Sequence, residues 1–159
     1  MTSECKYSFL EAKAKLEALC AYQERCSFEL NSKMYDWGID SEDRDRLLAH
    51  LISFNYLNEE RFAEAFCSGK VNIKRWGRVK IRQHLKQKRI SDYSIKKGLS
   101  SINEDTYLKN IEHLSVQKIN SLSREKNSYT KKTKVYRFLS SKGYETELIR
   151  EIVDGLMDN

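Results

Sequence analysis

The side chains best able to do chemistry in this 159-residue chain are four cysteines, three histidines and an unusual run of cations. Cys5, Cys20, Cys26 and Cys67 show no Cys-x-x-Cys spacing, and His50, His84 and His113 stand about thirty residues apart. Structural metal sites draw ligands from close-set pairs, so neither set reads as a metal cage. The expectation is reduced thiols acting as small hydrophobic residues, and no cofactor. Cys67 precedes Ser68, Gly69 and Lys70, and a neighbouring cation can lower a thiol pKa. It has no recognisable base partner, which nucleophilic catalysis needs. No enzymatic activity is expected.

The cations are more informative. Lys70, Lys74, Arg75, Arg78, Lys80, Arg82, Lys86, Lys88 and Arg89 follow one another with no acidic residue between them. Helices that are merely solvated mix both signs, so an unrelieved run points to an anionic partner. Over a helix spanning 77–88, Ile81 and Leu85 form the buried seam, and Arg78, Arg82 and Lys86 align about 80° around the cylinder from it. Phosphates bound along such a stripe release counterions, which makes binding salt-sensitive. Trp76, inside the run, fits two roles: stacking on a base, as in single-strand binders, or anchoring a helix start. A second basic set comprises Arg124, Lys126, Lys131, Lys132, Lys134 and Arg137. It lies in or beside residues 123–134, a polar stretch whose one hydrophobic residue is Tyr129. That stretch reads as an exposed mobile loop, which either closes over an anion or only connects two helices. Residues 1–66 hold eight basic and thirteen acidic side chains, whereas residues 67–159 hold twenty-one and ten, so the formal net charge of +6 conceals a polarised chain.

The elements that carry these groups are helices. The chain has no proline and six glycines, too little punctuation for many tight β-turns, and its Lys, Glu, Leu and Arg favour helix. Its longest apolar stretch, Ala18 to Tyr22, is far short of the roughly 20 residues a membrane span needs, so no membrane association is expected. The N-terminus lacks an apolar signal core, and the expected location is the cytoplasm.

One apolar spacing occurs three times: an apolar residue, another four later, a third five after that, and a further position or pair eight or nine on. The copies are Leu30, Met34, Ile39, Leu47 and Leu48; Ile81, Leu85, Ile90 and Leu99; and Val135, Leu139, Tyr144, Ile152 and Val153. The four-residue step stays on one helical face and the five-residue step crosses a turn, so each copy is a helix, a tight turn and a second helix. Gly38 and Gly143 occupy the slot where a left-handed residue ends the first helix, and Arg89 stands there in the second copy. Leu57-Asn58-Phe62, Ile90-Ser91-Ile95 and Ile102-Asn103-Tyr107 fit a capping residue inside a hydrophobic staple. Glu145 is a poor cap, and Ile39 with Arg44 lacks the apolar partner. Tyr7, Leu10, Ala14, Ala18 and Ala21 mark the leading helix of the first copy. The expected organisation is three three-helix units with boundaries at 1–55, 56–101 and 102–159, each too small to be comfortable alone and docked on its neighbour.

Several of these residues resemble a known family, the RecX regulatory proteins of bacteria. In the first unit the resemblance rests on Arg25-Cys26-Ser27-Phe28-Glu29-Leu30, Lys33-Met34 and Gly38. Its most specific stretch is Tyr56-Leu57-Asn58-Glu59-Glu60-Arg61-Phe62-Ala63, followed by Trp76-Gly77-Arg78-Val79-Lys80-Ile81-Arg82 and Leu85-Lys86-Gln87-Lys88. Phe138-Leu139 and Lys142-Gly143-Tyr144 carry it in the third. The family usually has an Asp pair where this chain has Asn58 and Glu59, and Gly where it has Arg89.

The resemblance implies an all-α, elongated and curved array of three tandem three-helix repeats that binds the RecA recombinase, especially its filament on single-stranded DNA, and restrains recombination and the SOS response. It implies no chemistry of its own, and a monomer is expected. Under this reading Lys74, Arg75, Trp76, Arg78, Lys80, Arg82, Lys86, Arg89, Lys131 and Lys132 are candidates for contact with filament or nucleic acid. Asn58, Arg61, Phe62, Ala63 and Gly77 are family-motif residues with mainly structural roles. The basic run alone would also suit a helical nucleic-acid-binding protein with no recombinase partner. A scaffold that binds only protein is a third class, in which the charge would be incidental.

Overall fold

The computed structural model describes residues 4–158, and among them are nine α-helices and no strand. They are α1 (Phe9–Tyr22), α2 (Ser27–Asp36), α3 (Ser41–Ser53), α4 (Glu59–Asn72), α5 (Arg78–Gln87), α6 (Asp92–Ser100), α7 (Glu104–Ser121), α8 (Ser128–Ser141) and α9 (Thr146–Met157). The three repeated spacings become α2–α3, α5–α6 and α8–α9. The five-residue step has a direct physical meaning. Ile39, Ile90 and Tyr144 donate their N–H groups to Met34, Leu85 and Leu139, the residues five earlier. Gly38, Arg89 and Gly143 donate to the carbonyls three earlier. This is the Schellman pair of bonds, made in triplicate, with the apolar residue after the turn packing beside the residue that accepts its bond. All three turn residues are left-handed, with φ of 80° at Gly38, 59° at Arg89 and 94° at Gly143.

The helix starts follow their caps. Asn58, Ser91 and Asn103 accept from the backbone N–H three residues on, and the staple residues Leu57, Phe62, Ile90, Ile95 and Tyr107 are buried. Glu145 makes no side-chain cap bond. Where α3 lacks an apolar staple partner, Arg44 supplies a polar one, donating to the Ile39 carbonyl at 2.7 Å and to Asn31 Oδ1 at 3.1 Å.

Two expectations are corrected. The seam of α1 is not the one read from Leu10, Ala14, Ala18 and Ala21, because Leu10 is 72% exposed and the three alanines lie on the surface. Ala12 and Leu16 are buried instead, with Leu19 and Cys20 beside them. An alanine has little apolar area to gain on either side, so its spacing does not orient a helix, whereas burying a leucine is worth about 2 kcal/mol and does. The polar stretch 123–134 is not one mobile loop. The connection is short, and Asn127 accepts from Thr130 N–H to start α8 at Ser128, so Lys131, Lys132 and Lys134 are helical.

Burial divides the interior in two. One cluster holds Ala12, Leu16, Leu30, Met34, Ile39, Leu47, Leu51 and Leu57. The other runs without a break from Phe62 through Ile81, Leu85 and Tyr107 to Val153, and from the first three helices it takes only Cys26 at the start of α2. Helices α4–α6 and α7–α9 thus share one core. Within it α4 presses on α6 at Gly98, where a Cβ would come within 2.9 Å of the Ala63 carbonyl.

Candidate functional site

The basic helix α5 begins at Gly77, which has no side chain to cap it. Its first N–H groups are satisfied by another part of the chain. Gly77 N–H donates to the Lys142 carbonyl (2.8 Å), Arg78 N–H to the Tyr107 hydroxyl (2.9 Å) and Val79 N–H to the Gly143 carbonyl (2.9 Å). A helix start normally leaves such donors to water or to its own cap. The approach is so close that a Cβ on Gly77 would sit 2.2 Å from the Gly143 carbonyl.

Arg78 seals this joint. Its guanidinium lies 3.9 Å over the Tyr107 ring, bonds Glu145 at 2.7 Å and reaches Glu104 at 2.5 Å. Glu145 also accepts a short hydrogen bond from the Tyr107 hydroxyl. Burial, and then this bond to a carboxylate, pushes the Tyr107 phenol far above its ordinary pKa.

The candidate contact residues therefore separate. Arg78 is committed to Glu104 and Glu145, and Lys132 to Asp154 and Asp158 at 3.2 and 3.1 Å. Lys88 pairs with Glu29 at 2.6 Å, and Lys134 with Glu125 at 3.2 Å. Arg89 lies over the Phe28 ring at 5.2 Å. Lys74, Arg75 and Arg82 are exposed, and among the described residues no carboxylate pairs with them. Lys86 has only a distant exposed partner, Asp92 at 4.0 Å. Arg75 is left-handed, with φ 53°, and its carbonyl accepts from the Tyr144 hydroxyl. Lys131 lies in the first turn of α8, next to Lys132, and is half-buried.

Trp76 packs against the larger core and has His84 at 4.5 Å between ring centroids, with the Lys70 and Lys80 ammonium groups at 4.6 and 4.4 Å from its own. It anchors the turn into α5, its N–H returning to the Lys70 carbonyl at 3.0 Å, yet stays partly open to solvent. Partial burial, then the charges of Lys80, Lys70 and Lys88, lowers the His84 pKa below the ordinary imidazole value.

Two family models match the chain: "RecX, second three-helix domain" over residues 58–99 and "RecX, third three-helix domain" over residues 105–153. A regulatory protein RecX of Chlorobaculum tepidum is 31% identical over 125 residues, covering 79% of this chain and 75% of that protein. The chain belongs to the RecX family. A RecX of Clostridium botulinum (strain Alaska E43 / Type E3) is 32% identical over 131 residues, 82% of this chain, and the match spans 61% of that longer relative. The crystal structure of RecX from Lactobacillus salivarius shares the fold, with a TM-score of 0.81 at 20% identity over 93% of this chain and 96% of that one.

The RecX motif residues sit at the joints. Asn58 caps α4 and Phe62 and Ala63 fill the core, while Arg61 reaches back to Glu24 at 2.8 Å and to the Asn55 carbonyl at 2.9 Å. Gly77 makes the other joint. Sequence reasoning missed Tyr107 and Glu145 as joint residues, and Gly98 as the close approach of α6 to α4 within one unit. Glu145 had a signal, being a carboxylate at a helix start that it does not cap.

The four thiols are free, Cys26 and Cys67 are buried, and burial pushes the Cys67 pKa up to about 11, opposite to what a reactive thiol needs. Among the described residues no His, Cys, Asp and Glu group could hold a metal, and no helix is long and apolar enough to cross a membrane.

Proposed function

We propose that this chain regulates the RecA recombinase, binding its filament on single-stranded DNA and mainly inhibiting it, without chemistry of its own. Membership of the RecX family supports the reading. The observation that carries it is the set of unneutralised cations on and before α5: Lys74, Arg75 and Arg82 face solvent with no carboxylate paired to them among the described residues and Lys86 has only Asp92 at 4.0 Å, while Arg78 and Lys88 beside them are paired. An exposed helix face of one sign attracts a polyanion and steers its approach. The three units, 1–55, 56–101 and 102–159, act as one monomeric array in the cytoplasm, with the acidic first unit setting the orientation of docking.

The test is inhibition of RecA's DNA-dependent ATPase by wild type and by Arg82→Glu/Lys86→Glu, with Arg78 left in place because it holds the fold. Inhibition by wild type should weaken by about tenfold or more in the variant, and should fall with added salt. Equal inhibition by both moves the contact off α5. DNA binding without any effect on RecA would favour a nucleic-acid-binding protein that has no recombinase partner.

A further inference from the structure

Beside the exposed face of α5 lies a cleft of about 610 Å³ between the α1–α2 connection and helices α4 and α5. Lys70, Lys74, Trp76 and His84 line it, with Ile73, 77% exposed, and Phe66. Lys80 reaches the same indole from α5. Its charges do not balance. Of the two carboxylates in its wall, Glu24 is held by Arg61 and Glu29 by Lys88. Lys70 and Lys80 therefore converge on one aromatic ring, with Lys74 in the same cleft wall, and no carboxylate is paired to any of the three among the described residues. Like charges gathered this way repel, and only an anion relieves them.

We propose that this cleft binds one phosphate-and-base unit of a nucleotide, the phosphate held by Lys70, Lys74 and Lys80 and the base stacked on Trp76. The proposal deepens the reading of the basic stretch as a binding surface and rests on it. An ammonium resting on an indole is held weakly, whereas one bonded to phosphate makes a charge-assisted bond. Phosphate thus draws a lysine off the ring and frees a face for the base, and stacking on aromatic rings suits single strands of any sequence. An acidic protein segment would satisfy the lysines but leave the indole and Ile73 unused, so the nucleotide is favoured.

His84 gives the site a proton signature. The charged groups facing it are Lys70 on α4, Lys74 and Lys88 on the flanking turns, Lys80 on α5, and Glu24 and Glu29 from the first unit. Partial burial and then the cations hold the free imidazole below its ordinary pKa and favour its neutral form. A bound phosphate reverses that field and favours the imidazolium, so binding takes up a proton and tightens as pH falls from about 7.5 to about 6.

The experiment uses the Trp37→Phe chain, whose one remaining indole is Trp76, and follows its fluorescence without recombinase present. The probes are a twelve-residue oligothymidylate, free dTTP and a poly-glutamate peptide. The strand should quench Trp76, and Lys70→Glu/Lys80→Glu should weaken binding by about tenfold or more, against less than about threefold for the charge-matched surface control Lys96→Glu/Lys109→Glu. Binding should tighten at the lower pH, and His84→Gln should abolish that gain. Quenching by dTTP as strong as by the strand still supports the site and identifies its source as free nucleotide. No quenching, equal loss in the control, equal quenching by poly-glutamate, or an unchanged pH profile in His84→Gln overturns the proposal. ATPase inhibition that persists when no probe binds defeats this site alone, and probe binding without ATPase inhibition defeats the recombinase reading alone.

Discussion

The joint between α1–α3 and α4–α6 and the joint between α4–α6 and α7–α9 are made of different bonds. At the first, the polar contacts are two side-chain pairs, Arg61 with Glu24 at 2.8 Å and Lys88 with Glu29 at 2.6 Å, all four side chains more than a quarter exposed, together with the bond of Arg61 to the Asn55 carbonyl at 2.9 Å. Each side has its own core, and only Cys26 crosses. At the second, three backbone donors of α5 bond to Lys142, Gly143 and Tyr107, and the core is continuous. Exposed pairs are screened by water and contribute up to about 1 kcal/mol each, whereas buried backbone groups cost more than that when left unsatisfied. The last six helices are thus built as one body, with the first three attached by a joint that can give.

The largest test of this contrast is Gly77→Ala. The added methyl would overlap the Gly143 carbonyl, and what stands there is backbone, which cannot swing aside as a side chain can. The expected loss in urea denaturation is at least about 3 kcal/mol. A loss below about 1 kcal/mol would mean that the second joint has slack too.

Next in size is Arg78→Met. It leaves Glu145 and the Tyr107 hydroxyl without their cation in a half-buried place, for an expected cost of about 2 kcal/mol. Adding Glu145→Gln should recover part of that, and a double-mutant cycle measures the coupling. Simple additivity would show that the two side chains do not act together.

How much of this was legible in the sequence follows from the range of the interactions. The three helix–turn–helix copies were legible because their Schellman turns, staples and caps are set by residues five or fewer apart. Arg89 was correctly given the slot of Gly38 and Gly143, and it takes the same left-handed conformation. The face of α1 was misread because alanines carry little directional information. The start of α8 was misread because charged residues obscured a helix capped by Asn127. The role of Arg78 was not legible at all: Glu104 and Glu145 lie 26 and 67 residues away, and no local pattern marks a cation as paired or free. A basic run advertises a surface, but only the fold sorts its members into those that hold the chain together and those left for a partner.

At the softer joint the effects should be smaller and should depend on salt. Glu24→Gln and Glu29→Gln are each expected to cost less than about 1 kcal/mol, and raising salt to about 0.5 M should shrink the cost further. Denaturation midpoints at two salt concentrations measure this. A loss as large as that of Gly77→Ala, or one indifferent to salt, would make the two joints alike.

The smallest effect is expected to have the opposite sign. Arg89 holds φ at 59°, where its Cβ crowds the backbone at a cost of about 1 kcal/mol, and Arg89→Gly removes that strain. Two terms work against the gain: glycine enlarges the unfolded ensemble, and the stacking of the guanidinium on Phe28 is lost. A net stabilisation of a few tenths of a kcal/mol is expected, to be read from chemical denaturation with enough replicates to resolve it. Gly143→Ala in the equivalent slot should instead lose several-fold more, since it adds left-handed strain and places a Cβ 2.3 Å from that of Lys80. If Arg89→Gly is clearly destabilised, the contact with Phe28 on α2 outweighs the backbone strain. Arg89 would then be a third clasp between the first unit and the second, and that joint would be firmer than its two ion pairs suggest.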